Sequence, residues 1–357
     1  MINLKKNKIF MKKKESPLYV NLAYESEMNR LAQNENPYGA SNLAKEAVLE
    51  NINKMSLYPD VILMELKEKL AKKHGVSPQE IIVSNGSGAI IDHLVNCMPH
   101  NGENMIVPEL TFVAYKLCAA IYRKECRLVP MENYSINLHK IADNCDKKTH
   151  LVFLSNPNNP TGTIFSHDEI VEFLDRISSK TLVVLDEAYK EYVTDVSFPR
   201  SIELYNKYPN IIILHSFSKI YGLAGLRIGY GIARTSVIEE LEKNRLPFMV
   251  GTLANIAALA ALDDMEHVSE SARKNAKGRE ILFQELSGMG YNVIPSQGNF
   301  LFISFATTED RNKMYDTLLA NKIVVRKMES FGDNRALRIS LGRTAANIRM
   351  LDCLKIK

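Results

Sequence analysis

A lysine that follows an apolar run carries the clearest sign of chemistry in this chain. Ser216-Phe217-Ser218-Lys219 comes one residue after the apolar run 211–214, and Arg227 stands eight positions beyond the lysine. Apolar surroundings and a nearby cation both favour the neutral amine of a lysine, which is its nucleophilic form. Lys219 is therefore a candidate to attack an electrophile such as an aldehyde.

A carboxylate stands at the end of another apolar run. Asp186-Glu187-Ala188-Tyr189 follows residues 182–185. A carboxylate that is buried at such a place is costly to keep ionised unless a cation pairs with it. The sequence thus predicts a cationic partner for Asp186, and the ring nitrogen of a bound molecule can be that partner.

Three further segments follow apolar runs. Asn85-Gly86-Ser87-Gly88-Ala89 precedes a helical pattern, and backbone N–H groups at a helix start bind phosphate. Phe112 can stack on a flat ligand, and the rigid turn Asn156-Pro157-Asn158-Asn159-Pro160-Thr161-Gly162 can hold an amide donor. A plain turn or a core aromatic residue is the alternative interpretation of each segment taken alone.

The elements that position these residues alternate between short apolar runs and helical periodicity from about residue 60. This alternation is typical of an α/β fold with a mostly parallel sheet flanked by helices. Ligands bind beyond the carboxyl ends of such strands, so the polar segments are expected to meet there. The predicted strands are 81–83, 105–107, 151–154, 182–185, 211–214 and 226–230. Helices are predicted over 253–263 and 266–286, and a second sheet from strands 299–305, 323–326 and 337–341.

The composition is that of a globular protein of 357 residues, with 46% hydrophobic and 24% charged residues. Six of the first fourteen residues are lysines, for which we predict a solvated leader instead of a nucleic-acid arm. Met1 and Met11 are both open as the start. No signal peptide, membrane span, zinc pattern or C-x-x-C pair is found in the sequence. These features predict a cytoplasmic protein that binds neither metal, membrane nor nucleic acid.

Together the segments resemble the fold-type I aminotransferases of class I/II that depend on pyridoxal 5'-phosphate (PLP), and most closely the histidinol-phosphate aminotransferase family. The resemblance extends over nearly the whole chain after residue 30. Further matching segments are Asn34-Glu35-Asn36-Pro37-Tyr38-Gly39, Leu57-Tyr58-Pro59-Asp60, Leu246-Pro247-Phe248, Ala260-Ala261-Leu262-Asp263-Asp264 and Leu337-Arg338-Ile339-Ser340.

The resemblance implies a role for each residue at the cofactor. Lys219 is expected to bond covalently to PLP, and Asp186 to pair with its ring nitrogen. Phe112 is expected to stack on the ring, while Asn159 and Tyr189 contact its phenolic oxygen. The residues expected to hold the cofactor phosphate are Ser87, Gly88, Ala89, Ser216, Ser218 and Arg227.

The resemblance also implies a homodimer and a division into domains. Tyr58 is expected to reach the cofactor phosphate of the neighbouring subunit. Arg338 is expected to bind the acidic group of the substrate bidentately, with Asn36 and Tyr38 beside it. The expected parts are a basic leader (1–15), an N-terminal arm that packs with the small domain (16–50), a large PLP-binding domain (51–255) and a small α+β C-terminal domain (256–357).

The implied reaction transfers the amino group of L-histidinol phosphate to 2-oxoglutarate, in histidine biosynthesis. Two other activities stay open, namely an aminotransferase for aromatic amino acids or other amines and a decarboxylase of the threonine-phosphate type. A cofactor-binding regulator is disfavoured because no DNA-binding domain precedes the fold. Two segments depart from the family pattern, Gly342-Arg343-Thr344-Ala345-Ala346-Asn347 and Ser16-Pro17-Leu18-Tyr19. Whether Arg326 or Arg343 contacts the substrate is therefore open.

Overall fold

The computed structural model describes residues 28–355, so the predicted leader, Met11 and Ser16-Pro17-Leu18-Tyr19 lie outside the described residues. The strands are β1 (Asn29–Leu31), β2 (Ile81–Ser84), β3 (Asn104–Pro108), β4 (Glu125–Val129), β5 (Thr149–Ser155), β6 (Leu182–Asp186), β7 (Ile211–Ser216), β8 (Gly229–Ile232), β9 (Asn292–Ile294), β10 (Phe300–Ser304), β11 (Ile323–Lys327) and β12 (Ala336–Ser340). The helices are α1 (Asn42–Glu50), α2 (Met64–His74), α3 (Ser87–Asn96), α4 (Val113–Ile121), α5 (Leu138–Asn144), α6 (His167–Arg176), α7 (Ser201–Lys207), α8 (Thr235–Lys243), α9 (Thr252–Ala261), α10 (Met265–Gly288), α11 (Thr308–Ala320) and α12 (Thr344–Lys355).

Seven strands form the larger sheet, in the order β2-β8-β7-β6-β5-β3-β4. Only β8 runs antiparallel to its neighbours β2 and β7. Strands β2, β3 and β7 are buried along their whole length, as expected when helices cover both faces of a sheet. The prediction of a mostly parallel α/β sheet is confirmed.

Alternate side chains of the central strands enter two separate cores, one on each face of this sheet. Val183 and Leu185 of β6 pack with residues of α6 and α9, whereas Val184 packs with Tyr115 of α4 and with residues of α3. The two-residue repeat of a strand sends neighbouring side chains to opposite faces. Asp186 lies two residues after Val184, so the carboxylate of Asp186 is on the same face of the sheet, the side of α4.

The second sheet has the order β1-β11-β12-β10-β9, and only the pair β1-β11 is parallel. Its core contains residues of α10, α11 and α12. Residues 29–31 of the predicted N-terminal arm therefore belong to this sheet. The domain boundaries at residues 51 and 256 stay predictions.

The predicted strand 226–230 is wrong in its first half. Residues 224–226 form a 3-10 turn, and Arg227 adopts a left-handed backbone with φ of 54°. An L-residue in that conformation interrupts an extended chain, so β8 begins only at Gly229. No helix among residues 28–355 is long and apolar enough to span a membrane.

Candidate active site

A cavity of about 420 Å³ lies where β5, β6 and β7 end, and it extends to β11 and β12 of the second sheet. Most of the residues that the sequence nominated for chemistry line this one space. They are Ser87, Gly88, Phe112, Asn159, Asp186, Tyr189, Ser216, Ser218, Lys219, Arg227 and Arg338. The carboxyl edge of the parallel strands thus gathers these side chains, as such edges do in open α/β sheets.

Lys219 is half-buried on a loop that the N-terminal arm holds in place. Its Nζ donates a hydrogen bond to the Gln33 carbonyl oxygen (3.2 Å) and lies 5.6 Å from the centre of the Tyr189 ring. Gly222 closes this loop with φ of +70°, and a Cβ there would lie 2.1 Å from the Gly39 carbonyl oxygen. Only glycine permits the arm to pack this closely against the lysine loop.

Asp186 is 3% exposed, and Tyr115 donates a hydrogen bond from its hydroxyl to Oδ2 of Asp186 (2.7 Å). Burial raises the pKa of Asp186, and the hydrogen bond from Tyr115 lowers it. The ionised acid therefore needs a further cation, and a protonated ring nitrogen fits that need. The sequence reading missed Tyr115, because a tyrosine inside an apolar helix has the pattern of a core residue.

The start of α3 forms an anion cradle with the side chain of Arg227. Arg227 Nη1 donates to Ser218 Oγ (3.2 Å), and a Cβ at Gly86 would lie 2.7 Å from Arg227 Nη2. A Cβ at Gly229 would lie 2.5 Å from the Ser87 backbone nitrogen. These close approaches hold a guanidinium, hydroxyls and the N–H groups of a ten-residue helix together, a combination that fits a phosphate.

The middle of the cavity is lined by Phe112, Asn159 and Tyr189. The Phe112 ring lies edge-on to Tyr115, with centroids 5.6 Å apart and planes at 90°. The Tyr189 hydroxyl accepts a hydrogen bond from Asn34 Nδ2 (3.1 Å), and Asn159 Oδ1 accepts one from Arg338 Nη1. An aromatic face, an amide and a phenol thus surround a space between the lysine and the buried acid, which suits a flat polar ring.

Two arginines stand opposite each other at the far end of the cavity. Arg326 on β11 pairs in register with Arg338 on β12, and the two residues are 7% and 5% exposed. Arg338 Nη2 donates to the Ala32 carbonyl oxygen (2.8 Å). Burial lowers the pKa of Arg338 to about 10, so the guanidinium is charged at neutral pH. Two buried guanidinium groups on one wall suit an anionic ligand.

The structure does not bring Asn36 and Tyr38 into this cavity. Asn36 Nδ2 donates to the Ile220 carbonyl oxygen (2.8 Å), which turns it towards the lysine loop. Tyr38 lines a separate cleft of about 1150 Å³ between α10 and α12, which also contains Arg343 and none of the residues around Lys219. Asn34, which the sequence did not nominate, lines the cavity instead.

Tyr58 lies away from the cavity and is 84% exposed, with its ring 4.8 Å from that of Phe248. Ala89 follows Gly88 in α3 and is not part of the cavity wall. Several large apolar side chains near Tyr58 or Phe248 in the chain are exposed as well, and with those two residues they are called the apolar patch: Leu49, Ile52, Met55, Leu57, Val61, Ile62 and Leu246. Exposed apolar groups in such number indicate an interaction surface.

The described part of the chain shows no cluster of metal-binding side chains. Residues 28–355 contain no group of three or more His, Cys, Asp or Glu side chains that could hold a metal ion.

The family of the chain follows from comparison with known proteins. Residues 26–351 match the family described as aminotransferase class I and II, so the chain belongs to that family. The predicted enzyme class, an aminotransferase, is confirmed.

Within this family, the chain is similar to proteins named histidinol-phosphate aminotransferase. The one from Anaeromyxobacter sp. is 40% identical over 330 residues, which are 92% of this chain and 90% of that protein. The crystal structure of the Sinorhizobium meliloti enzyme, in complex with pyridoxal-5'-phosphate, is 27% identical with a TM-score of 0.86 and covers 92% of this chain and 89% of that one. A structure named putative histidinol-phosphate aminotransferase from Erwinia carotovora atroseptica is 28% identical with a TM-score of 0.86, covering 92% and 96%. The predicted fold class and family resemblance are confirmed.

Proposed function

We propose that this chain is a PLP-dependent aminotransferase that transfers the amino group of L-histidinol phosphate to 2-oxoglutarate, a step of histidine biosynthesis. The observation that carries the proposal is the single cavity that joins Lys219 and Asp186 to an anion cradle at one end and two arginines at the other. The relatives with up to 40% identity supply the substrate's name. When bound, PLP supplies an aldehyde for amine exchange and a ring that withdraws electrons.

The residues of the cradle and the cavity wall bind and orient the cofactor. Ser87, Gly88 and Ala89 at the start of α3 would hold its phosphate, together with Ser216, Ser218 and Arg227. Asp186 would pair with the ring nitrogen and favour its protonated form. Phe112 would stack on the ring, and Asn159 and Tyr189 would contact its phenolic oxygen.

Lys219 has two tasks in this proposal. Its amine would hold the cofactor covalently in the resting enzyme. With the substrate amine bound, Nζ would act as the base that takes the proton from the amine-bearing carbon of the substrate and as the acid that later gives it back. The Gln33 carbonyl oxygen, 3.2 Å from Nζ, keeps the amine at the mouth of the cavity.

Arg326 and Arg338 bind the acidic end of each substrate. A phosphate monoester carries up to two negative charges and accepts hydrogen bonds from two guanidinium groups, and the carboxylate of 2-oxoglutarate can use the same donors. Because both arginines line one wall, the same site serves both half-reactions. The favoured donor is therefore an amine with a phosphate at its far end.

A donor screen tests this function. Purified enzyme loaded with PLP receives one donor at a time, and mass spectrometry measures conversion of the cofactor to its pyridoxamine form. Histidinol phosphate and histidinol form the matched pair, because they differ only in the phosphate. We expect a preference for histidinol phosphate of about a hundredfold or more, since two charge-assisted contacts are lost without it. Equal rates for the pair, faster conversion by aromatic amino acids, or carbon dioxide release from phosphothreonine would each contradict the proposal.

The enzyme is further proposed to be a cytoplasmic homodimer whose apolar patch forms the subunit contact, with Tyr58 at the partner's cofactor phosphate. Mixing two inactive variants, Lys219→Ala and Tyr58→Ala, tests the shared site. Each mixed dimer contains one complete site, so exchange of subunits restores about a quarter of the wild-type activity. A mixture that stays inactive while native mass spectrometry shows mixed dimers would contradict the role of Tyr58.

A further inference from the structure

Tyr115 is a fully buried tyrosine that connects two walls of the active-site cavity. It lies on α4, one helical turn after Phe112, and its ring stacks on Phe153 with centroids 4.6 Å apart and planes at 18°. The Phe112 ring meets it edge-on at 5.6 Å. Aromatic pairs at these distances and angles are favourable and restrict rotation of both rings. The packing of Tyr115 therefore fixes the direction of its hydroxyl.

That hydroxyl ends at the acid of the cavity. Tyr115 donates to Asp186 Oδ2 at 2.7 Å, while the Ala188 backbone N–H donates to Oδ1 at the longer distance of 3.3 Å. The other charged groups that act on Asp186 are Glu187, which raises its pKa, and Lys219, which lowers it. Tyr115 therefore provides the shortest hydrogen bond to this carboxylate among the described residues.

We propose that Tyr115 is a positioning residue of the amino-transfer reaction, because its hydroxyl aims the Asp186 carboxylate at the cofactor ring nitrogen and its ring fixes Phe112. The inference rests on the proposed function, since it assigns Asp186 and Phe112 to the cofactor. A hydrogen bond to an ionised acid is stronger than one between neutral groups, and it favours the charged form. Helix α4 would thus position both proposed partners of the cofactor ring, namely Asp186 at its nitrogen and Phe112 on its face.

The test compares Tyr115→Phe with the control Tyr205→Phe in the PLP-loaded enzyme. Tyr205 is also buried and donates from its hydroxyl to a carboxylate, Glu80 Oε1 at 2.6 Å, but Glu80 does not line the cavity, whereas Asp186 does. Both variants remove one oxygen atom, and thermal unfolding measures what each costs the fold. Only Tyr115→Phe is expected to change the chemistry.

For Tyr115→Phe we expect the rate of the first half-reaction to fall about tenfold to a hundredfold, with KM nearly unchanged. The acidic limb of its pH-rate profile should move upward by about one pH unit, because an acid without its donor ionises less readily. In Asp186→Asn, adding Tyr115→Phe should cause little further loss, since coupled residues do not act additively. A purely structural tyrosine would produce none of these three results.

The inference is overturned if Tyr115→Phe reacts with the wild-type rate and pH profile, or if its effect adds fully to that of Asp186→Asn. Such a result leaves the proposed function intact, provided that the wild-type enzyme converts its donor. Failure of the wild-type enzyme with every donor would overturn the proposed function instead. In that case, the two tyrosine variants can still be compared by the pH at which acid releases PLP, because this measurement requires cofactor binding and no turnover.

Discussion

The change Gly86→Ala tests whether the anion cradle depends on the absence of a side chain. Gly86 has φ of +84° and ψ of 160°, a region in which other residues cost about 1–3 kcal/mol. The added Cβ would also lie 2.7 Å from Arg227 Nη2 and 3.4 Å from Cζ, so the guanidinium must move. If Arg227 holds the cofactor phosphate as proposed, loss of that hydrogen bond costs about 1.5–3 kcal/mol, which corresponds to PLP binding that is about ten to 150 times weaker.

Gly75→Ala is the matched control for this change. Gly75 ends α2 with φ of +68°, and nothing lies within 4 Å of a Cβ placed there. It should cost about 1 kcal/mol of stability through the backbone alone. Titration of the cofactor-free proteins with PLP gives each Kd, and thermal unfolding gives each stability. If Gly86→Ala binds PLP within twofold of wild type, the cradle does not work through Arg227 in the way the structure indicates.

Three more predictions concern the substrate, the lysine and acid stability. Arg338→Met should lower kcat/KM for histidinol phosphate at least about a hundredfold, whereas Arg343→Met in the separate cleft should change it only a few-fold, as steady-state kinetics would show. Lys219→Ala should abolish turnover. Borohydride should fix PLP covalently to the wild-type chain, whereas dialysis should still remove PLP from the borohydride-treated Lys219→Ala variant. Burial lowers the pKa of His74 to about 4 and that of His215 well below its usual range, so the unfolded chain binds more protons than the folded one below about pH 6.5. The free energy of unfolding is therefore highest above that pH and falls by about 1–3 kcal/mol per histidine towards pH 4. Urea unfolding at a series of pH values measures this change. A free energy of unfolding that does not change over this range would contradict the prediction.

The strands of the larger sheet could be predicted where burial dominates. Residues 182–185 and 211–214 are continuous apolar runs, and both lie within observed strands of nearly the same length. The short strands β1 and β9 have three residues each, too few to show a repeat, and they are strands only because a neighbour pairs with them. Edge strand β4 carries Glu125 and Arg127 on partly solvated positions, which hid it from an apolar pattern.

The residues of the site could be predicted from the sequence where a polar motif follows a predicted strand. Lys219, Asp186 and the glycine turn at Gly86 each follow a strand of the larger sheet, and strands that run in the same direction place such ends at one edge without further information. Tyr115 and Asn34 act through contacts that no local pattern contains. Their partners lie 71 and 155 positions away, and only the folded chain makes them neighbours.

The N-terminal arm determines how the two halves of the site face each other. The residues proposed to hold the cofactor lie on and around the larger sheet, and the arginines proposed for the substrate lie on the second sheet, while Asn34 contacts both halves. Its backbone N–H donates to Ser340 Oγ (2.8 Å) beside Arg338, and its side chain donates to the Tyr189 hydroxyl (3.1 Å). A few residues further on, Gly39 packs against Gly222 of the lysine loop. The arm therefore contacts both the loop of Lys219 and the strand of Arg338, and so connects the lysine to the anion-binding wall.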